Sequence, residues 1–93
     1  MRVRLSQAAR IDLRRQIDWL SEQSPKAGRK AVDRIFATVS LLSDFPYLGE
    51  ALTGAVREKQ VRFGRDGFVI RYAVRPDEVF VERIFHTRQD RSR

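Results

Sequence analysis

Two strand-like runs near the end of the chain, Phe68 to Val74 and Val79 to Phe85, flank Arg75-Pro76-Asp77-Glu78. Alternating side chains on either side of a Pro-Asp turn specify an antiparallel hairpin. The expected register sets Val74 opposite Val79, Tyr72 opposite Val81 and Phe68 opposite Phe85 on one apolar face. Arg71 then faces Glu82, and Val69 faces Ile84, on a second, mixed face. A stiff frame of this kind can hold polar side chains in fixed positions, and the hairpin leads directly into His86-Thr87-Arg88-Gln89.

The preceding strand, Val56 to Phe63, joins the hairpin through Gly64-Arg65-Asp66-Gly67. Pairing Phe63 with Phe68 and Val61 with Ile70 keeps both pairs on the apolar face. The three runs therefore form a meander whose apolar side needs a cover. Two helical patterns supply it. After Ser6, an N-cap type, Ala9, Leu13, Ile17 and Leu20 recur at helical spacing to about Gln23. Ser24-Pro25 restarts a helix, since proline loses nothing at the first helical position. Ala31, Ile35, Val39 and Leu42 form its stripe, and Phe45-Pro46 ends it. Pro46 to Gly54 reads as a loop, and Arg2 to Leu5 as a short strand added beside the meander. The expected fold is α+β in the order β-α-α-β-β-β, an antiparallel sheet covered on one face by an αα-hairpin.

Ninety-three residues with 42% hydrophobic content fit one domain spanning 1–93, with residues 89–93 a loose polar tail. There is no cysteine and one histidine, so no disulfide framework or thiolate metal site is possible. The acids are dispersed, so metal-assisted hydrolysis lacks a ligand set, and no cofactor is expected. No run approaches the ~20 apolar residues that cross a bilayer, and the N-terminus lacks a signal peptide's apolar segment. A cytoplasmic protein with no membrane partner is expected.

Nineteen Lys and Arg against twelve Asp and Glu give +7, shared between residues 1–56 and 57–93 as +3 and +4. An acidic partner or plain solvation both account for such a charge. On the face away from the helices the expected register gathers Gln60, Arg62, Arg71, Glu82 and His86, with Arg65 and Arg88 in adjoining segments. Guanidinium groups at Arg62, Arg65, Arg71 and Arg88 offer planar forks for phosphate or an acidic target, with Arg57 a further candidate on the helix-facing side. Arg71 and Glu82 also read as a structural pair. His86 suits proton transfer, and equally a hydrogen-bonded structural role. Trp19 reads as an anchor at the edge of the core. Phe68, Tyr72 and Phe85 fall on the core side, which leaves no platform there for stacking RNA bases.

Ala8-Ala9-Arg10-Ile11-Asp12-Leu13, Leu42-Ser43-Asp44-Phe45-Pro46-Tyr47-Leu48-Gly49, Val56-Arg57-Glu58, Gly67-Phe68-Val69-Ile70-Arg71-Tyr72 and Arg83-Ile84-Phe85-His86-Thr87-Arg88-Gln89 occur in this order over nearly the whole chain. Together they resemble the ParE/RelE superfamily of toxins from type II toxin–antitoxin modules. The resemblance implies a small toxin neutralised by an antitoxin whose extended C-terminal segment wraps around it; an acidic antitoxin would also suit the charge. RelE-like members cleave messenger RNA on the ribosome without metal, and their site would carry over here to Arg65, His86 and Arg88. ParE-like members are associated with poisoning DNA gyrase and lack that nuclease set. Beyond His86 there is no tyrosine to protonate a leaving 5′-oxygen, so the ending is more similar to ParE.

Overall fold

The computed structural model describes residues 1–89 and 91. Its elements are β1 (Arg2–Leu5), α1 (Gln7–Gln23), α2 (Pro25–Asp44), β2 (Glu50–Thr53), β3 (Val56–Phe63), β4 (Asp66–Val74) and β5 (Glu78–His86). The sheet order is β1-β5-β4-β3-β2, with β1 parallel to β5 and the other neighbours antiparallel. The α+β architecture follows the expected order, with one strand more: Glu50–Thr53, read above as loop, pairs with β3 and becomes an outer edge.

Both helices start as their caps dictate. The Ser6 hydroxyl accepts from the Ala9 amide at 2.9 Å. Ser24 closes α1 by donating its amide to Leu20 O (2.8 Å) and opens α2 by accepting from the Ala27 amide. One residue thus caps the end of α1 and the start of α2 at once. Ala9, Ala31, Ile35, Val39 and Leu42 pack against Val61, Phe68, Ile70, Tyr72, Val79, Val81 and Ile84 to form the core.

The registers differ from expectation in two informative ways. On β3 and β4 the pairs are Phe63–Asp66, Val61–Phe68 and Lys59–Ile70, so the predicted Phe63–Phe68 and Val61–Ile70 pairings are displaced by two residues. The cause is the turn. Gly64 sits at φ 62°, which allows a two-residue Gly64-Arg65 hairpin loop. A slip of two preserves the buried face, because side chains alternate with period two.

The second difference changes faces. Val74–Val79 and Tyr72–Val81 pair as expected, but Arg71 then pairs with Arg83, Ile70 with Ile84, Val69 with Phe85 and Phe68 with His86. The Arg71–Glu82, Val69–Ile84 and Phe68–Phe85 pairings are therefore wrong beyond Tyr72. Glu82 is the extra residue of a β-bulge. Its effect is to turn Ile84 into the core and Phe85 onto the face away from the helices, where sequence alternation alone had placed them the other way round.

The bulge lies where β5 loses its neighbour. Beyond Val81 the outer edge of β5 has no β1 to pair with, and α1 takes over that role. The Ser6 hydroxyl donates to Glu82 O at 2.7 Å, Asp12 accepts from the Ile84 amide at 2.9 Å, and Gln16 donates to Ile84 O at 2.9 Å. Asp12 also receives Arg83 in a two-pronged contact at 2.8 and 3.0 Å. An edge that would invite another strand is thereby closed by side chains. The Asp12 carboxylate holds the Arg83 guanidinium more firmly protonated than usual.

Candidate functional site

The basic residues singled out from sequence separate into two groups. Arg71 and Arg57 are held by contacts within the molecule. Arg71 is 8% exposed and pairs with Glu58, its cross-strand partner on β3, at 2.8 Å rather than with Glu82. Its guanidinium lies 5.0 Å from the centre of the Phe85 ring, and it donates to Arg91 O at 3.3 Å. The face away from the helices is thus partly closed at its centre: Val69, Arg71 and Phe85 are all buried there. Gln89 also makes contacts, donating its amide to His86 O and accepting from the His86 amide. The remainder of the expected loose tail, Asp90, Ser92 and Arg93, lies outside the described residues.

Arg57 donates to Gly49 O at 2.8 Å and to Tyr47 O at 3.3 Å, with its guanidinium 5.0 Å from the Tyr47 ring centre. It clamps the loop between α2 and β2. Tyr72 clamps the same loop from below: its hydroxyl donates to Pro46 O and accepts from the Gly49 amide, both at 2.8 Å. Burial pushes its pKa up, against the Gly49 hydrogen bond and the Arg57 charge. With no exposure and both hydrogen-bonding roles taken, Tyr72 cannot reach a substrate.

Arg62, Arg65 and Arg88 point to solvent. Arg65 and Arg88 come together with His86 around a groove of about 550 Å³ between α1 and the β3–β4 turn. Its floor is Leu20, Phe63 and Phe68. Arg62 is not part of it; its carbonyl accepts from Arg34 on α2 at 3.0 Å. Sequence reasoning missed two contributors to this groove, Arg15 and Trp19. Trp19, expected as an anchor at the edge of the core, is 59% exposed. The signal was present in the helical spacing: Ile11, Arg15 and Trp19 follow one another at four-residue intervals, and all three are exposed.

Asp66, His86 and Arg88 of the groove are engaged in contacts. Arg88 donates to Asp66 at 3.2 Å, though it stays largely in water. His86 packs edge-on against Phe68, with ring centres 6.2 Å apart. Its Nδ1 accepts from the Arg88 amide at 3.1 Å. An imidazole whose Nδ1 accepts an amide carries its proton on Nε2, so its one lone pair is already used. Among the described residues no group of three His, Asp or Glu side chains is placed to hold a metal ion, and no helix is long and apolar enough to cross a membrane.

Comparison with known proteins agrees with this fold. A solved structure from the chromosomal ParDE TA system of P. aeruginosa shares the fold, with a TM-score of 0.73 over 94% of this chain and 96% of that one at 23% identity. Toxin RelE3 and Toxin RelE1 of Caulobacter vibrioides are 36% and 33% identical over 89 residues. Both alignments cover 96% of this chain, and 97% and 96% of the relatives. The family model for the ParE toxin of the type II toxin–antitoxin system parDE matches residues 3–91. The chain therefore belongs to the ParE toxin family, within the ParE/RelE superfamily of type II toxin–antitoxin toxins.

Proposed function

We propose that this toxin arrests bacterial growth by binding a protein target, DNA gyrase, and not by cutting RNA. The carrying observation is that both groove side chains able to exchange protons, His86 and Asp66, are engaged within the molecule, Asp66 by accepting from Arg88. Cleavage of RNA by attack of a 2′-hydroxyl needs one group to take that proton and another to protonate the leaving 5′-oxygen. The His86 lone pair is held by the Arg88 amide, and Tyr72 is buried beneath the α2–β2 loop. Arginines alone can stabilise charge on a phosphate, but they do not exchange protons near neutrality. Membership of the ParE family supports the same reading.

A partner antitoxin follows from the toxin–antitoxin family, and the charge of +7 suits one whose toxin-binding segment is acidic. The second reading is a ribosome-dependent, metal-independent endoribonuclease acting on messenger RNA. It is favoured by the convergence of Arg65, His86 and Arg88 on one groove, joined by Arg15, and by the names of the Caulobacter relatives.

Expression without antitoxin separates the two. The binding reading expects inhibited supercoiling by purified gyrase, intact transcript ends, and growth arrest that persists in His86→Ala. Transcripts cut on the ribosome, with cutting lost in His86→Ala, would overturn it.

A further inference from the structure

The outer edge of β1 is open over two residues. The Ser6 amide donates to Val81 O at 2.9 Å, so the backbone groups of the even-numbered residues of β1 point at β5. By alternation those of Val3 and Leu5 point away from it. Towards the start of the strand α2 covers this side: the Met1 nitrogen donates to Ser43 O at 3.0 Å, and the Met1 carbonyl accepts from the Ser43 hydroxyl. Past the end of β1 the edge of β5 is closed by α1. The amides and carbonyls of Val3 and Leu5 lie between these covers and have no hydrogen-bond partner among the described residues. Such a row of donors and acceptors is a template for a further strand.

Beside this edge runs a groove of about 600 Å³ walled by β1, α1 and α2. Val3, Leu5, Leu13, Ile17 and Phe36 give it an apolar lining, and Phe36 is 46% exposed. Arg10 and Arg14 stand on its α1 wall, exposed and in no ion pair among the described residues.

The other face of β1 is basic as well. Arg2 and Arg4, opposite Val3 and Leu5 by alternation, share Glu78 with Arg75. Neighbouring acids do not cancel either set. Two guanidiniums face Asp18 alone on the groove side, and three face Glu78 and Asp77 on the other. The open edge thus carries excess positive charge on both faces. β2, the other outer strand, has Glu50 as its only charge.

We propose that the open edge of β1 receives an extended segment of the antitoxin as a further strand of the sheet. Side chains of an added strand alternate between the two faces. The segment therefore carries apolar residues towards the groove and acidic residues towards Arg2 and Arg4, with a further carboxylate reached by Arg10 and Arg14. Main-chain bonds to Val3 and Leu5 supply affinity, while the groove and the arginines supply selection. This rests on the reading that the toxin-binding segment is acidic, and adds where it binds and what pattern it has.

The test uses the toxin co-expressed with its own antitoxin and purified as the intact complex. The Val3 and Leu5 amides are expected to exchange hydrogen slowly in the complex and fast in toxin freed of antitoxin. Val3→Pro removes one outward donor but no bond to β5, and Arg10→Glu with Arg14→Glu reverses the charge of the groove wall. Each is expected to speed antitoxin dissociation at least about tenfold, as loss of central contacts implies. Lys26→Glu with Lys30→Glu makes the same change of net charge at the start of α2, and is expected to leave dissociation within about twofold of the parent. Circular dichroism and melting check that each variant is folded. Fast exchange of both amides in the complex, or dissociation unchanged in both β1-edge variants, overturns the proposal and leaves the antitoxin reading standing. So does slow exchange of these amides in a toxin that dimerises without antitoxin, which assigns the edge to a second copy. A bound segment without acidic residues refutes the charge reading alone, because amide exchange still reports whether a strand covers β1.

Discussion

Tyr72 shows how one side chain can fix a surface from within. Its ring is fully buried among core residues, while its hydroxyl supplies hydrogen-bonding partners for Pro46 and Gly49. Removing that oxygen leaves a buried amide and a carbonyl without their partner, a loss of about 1–3 kcal/mol. Tyr72→Phe should lower stability in urea unfolding by this amount and speed hydrogen exchange at Gly49, with the secondary structure intact. Gly49→Ala should be at least as damaging, since its Cβ meets both the Tyr72 hydroxyl and the Glu58 carbonyl. The alternation of the strand placed Tyr72 on the core side. The use of its hydroxyl was not legible, because the partners are backbone groups 26 and 23 residues away.

At the scale of elements, β1 is tied to the β4–β5 hairpin by a cluster around Glu78. Arg2 and Arg4 from β1 and Arg75 from the turn all donate to this almost fully buried carboxylate, at 3.1, 2.9 and 2.9 Å. The Arg4 hydrogen bond, aided by those of Arg2 and Arg75 and opposed by desolvation, lowers its pKa from 4.5 to about 2. Between these two values the unfolded chain binds the proton and the folded one does not. The cluster's contribution is therefore complete above about 4.5 and is lost as pH falls towards 2. Acid unfolding followed by circular dichroism should show a shallower loss of stability across this window in Glu78→Gln than in the parent.

The other end of β5 depends on α1 instead of a strand. Asp12→Ala would strip the Ile84 amide and Arg83 of their shared acceptor, and should cost about 1–3 kcal/mol in urea unfolding, with faster exchange at Ile84. Local patterns in the sequence sufficed for both helices and their caps. They failed at Glu82, where a bulge reverses the faces of Ile84 and Phe85. Alternation carries no mark of where a strand loses its neighbour, and the neighbour here is 71 to 72 residues distant along the chain. The same limit hid β2, four exposed residues whose identity as a strand comes only from β3 beside them.

Over the whole molecule, a charge of +7 and a set of exposed apolar side chains give the two proposed partners different physics. The proposed acidic antitoxin meets arginine-rich surface such as the groove lined by Arg15, Arg65 and Arg88, so its approach is accelerated by a field that salt screens. A protein target bound through exposed apolar side chains has no such field to lose. Burial of apolar surface depends little on moderate salt. Raising sodium chloride from about 0.05 to about 0.5 M should then slow antitoxin association by tenfold or more. Over the same range the affinity for gyrase should change by less than about threefold, since only rim charges respond. Stopped-flow mixing with Trp19 fluorescence can follow the first process, because this side chain, the only tryptophan, borders the basic groove. Titration of supercoiling inhibition across the salt series follows the second. Equal salt dependence in the two measurements would place both partners on the arginine-rich surface.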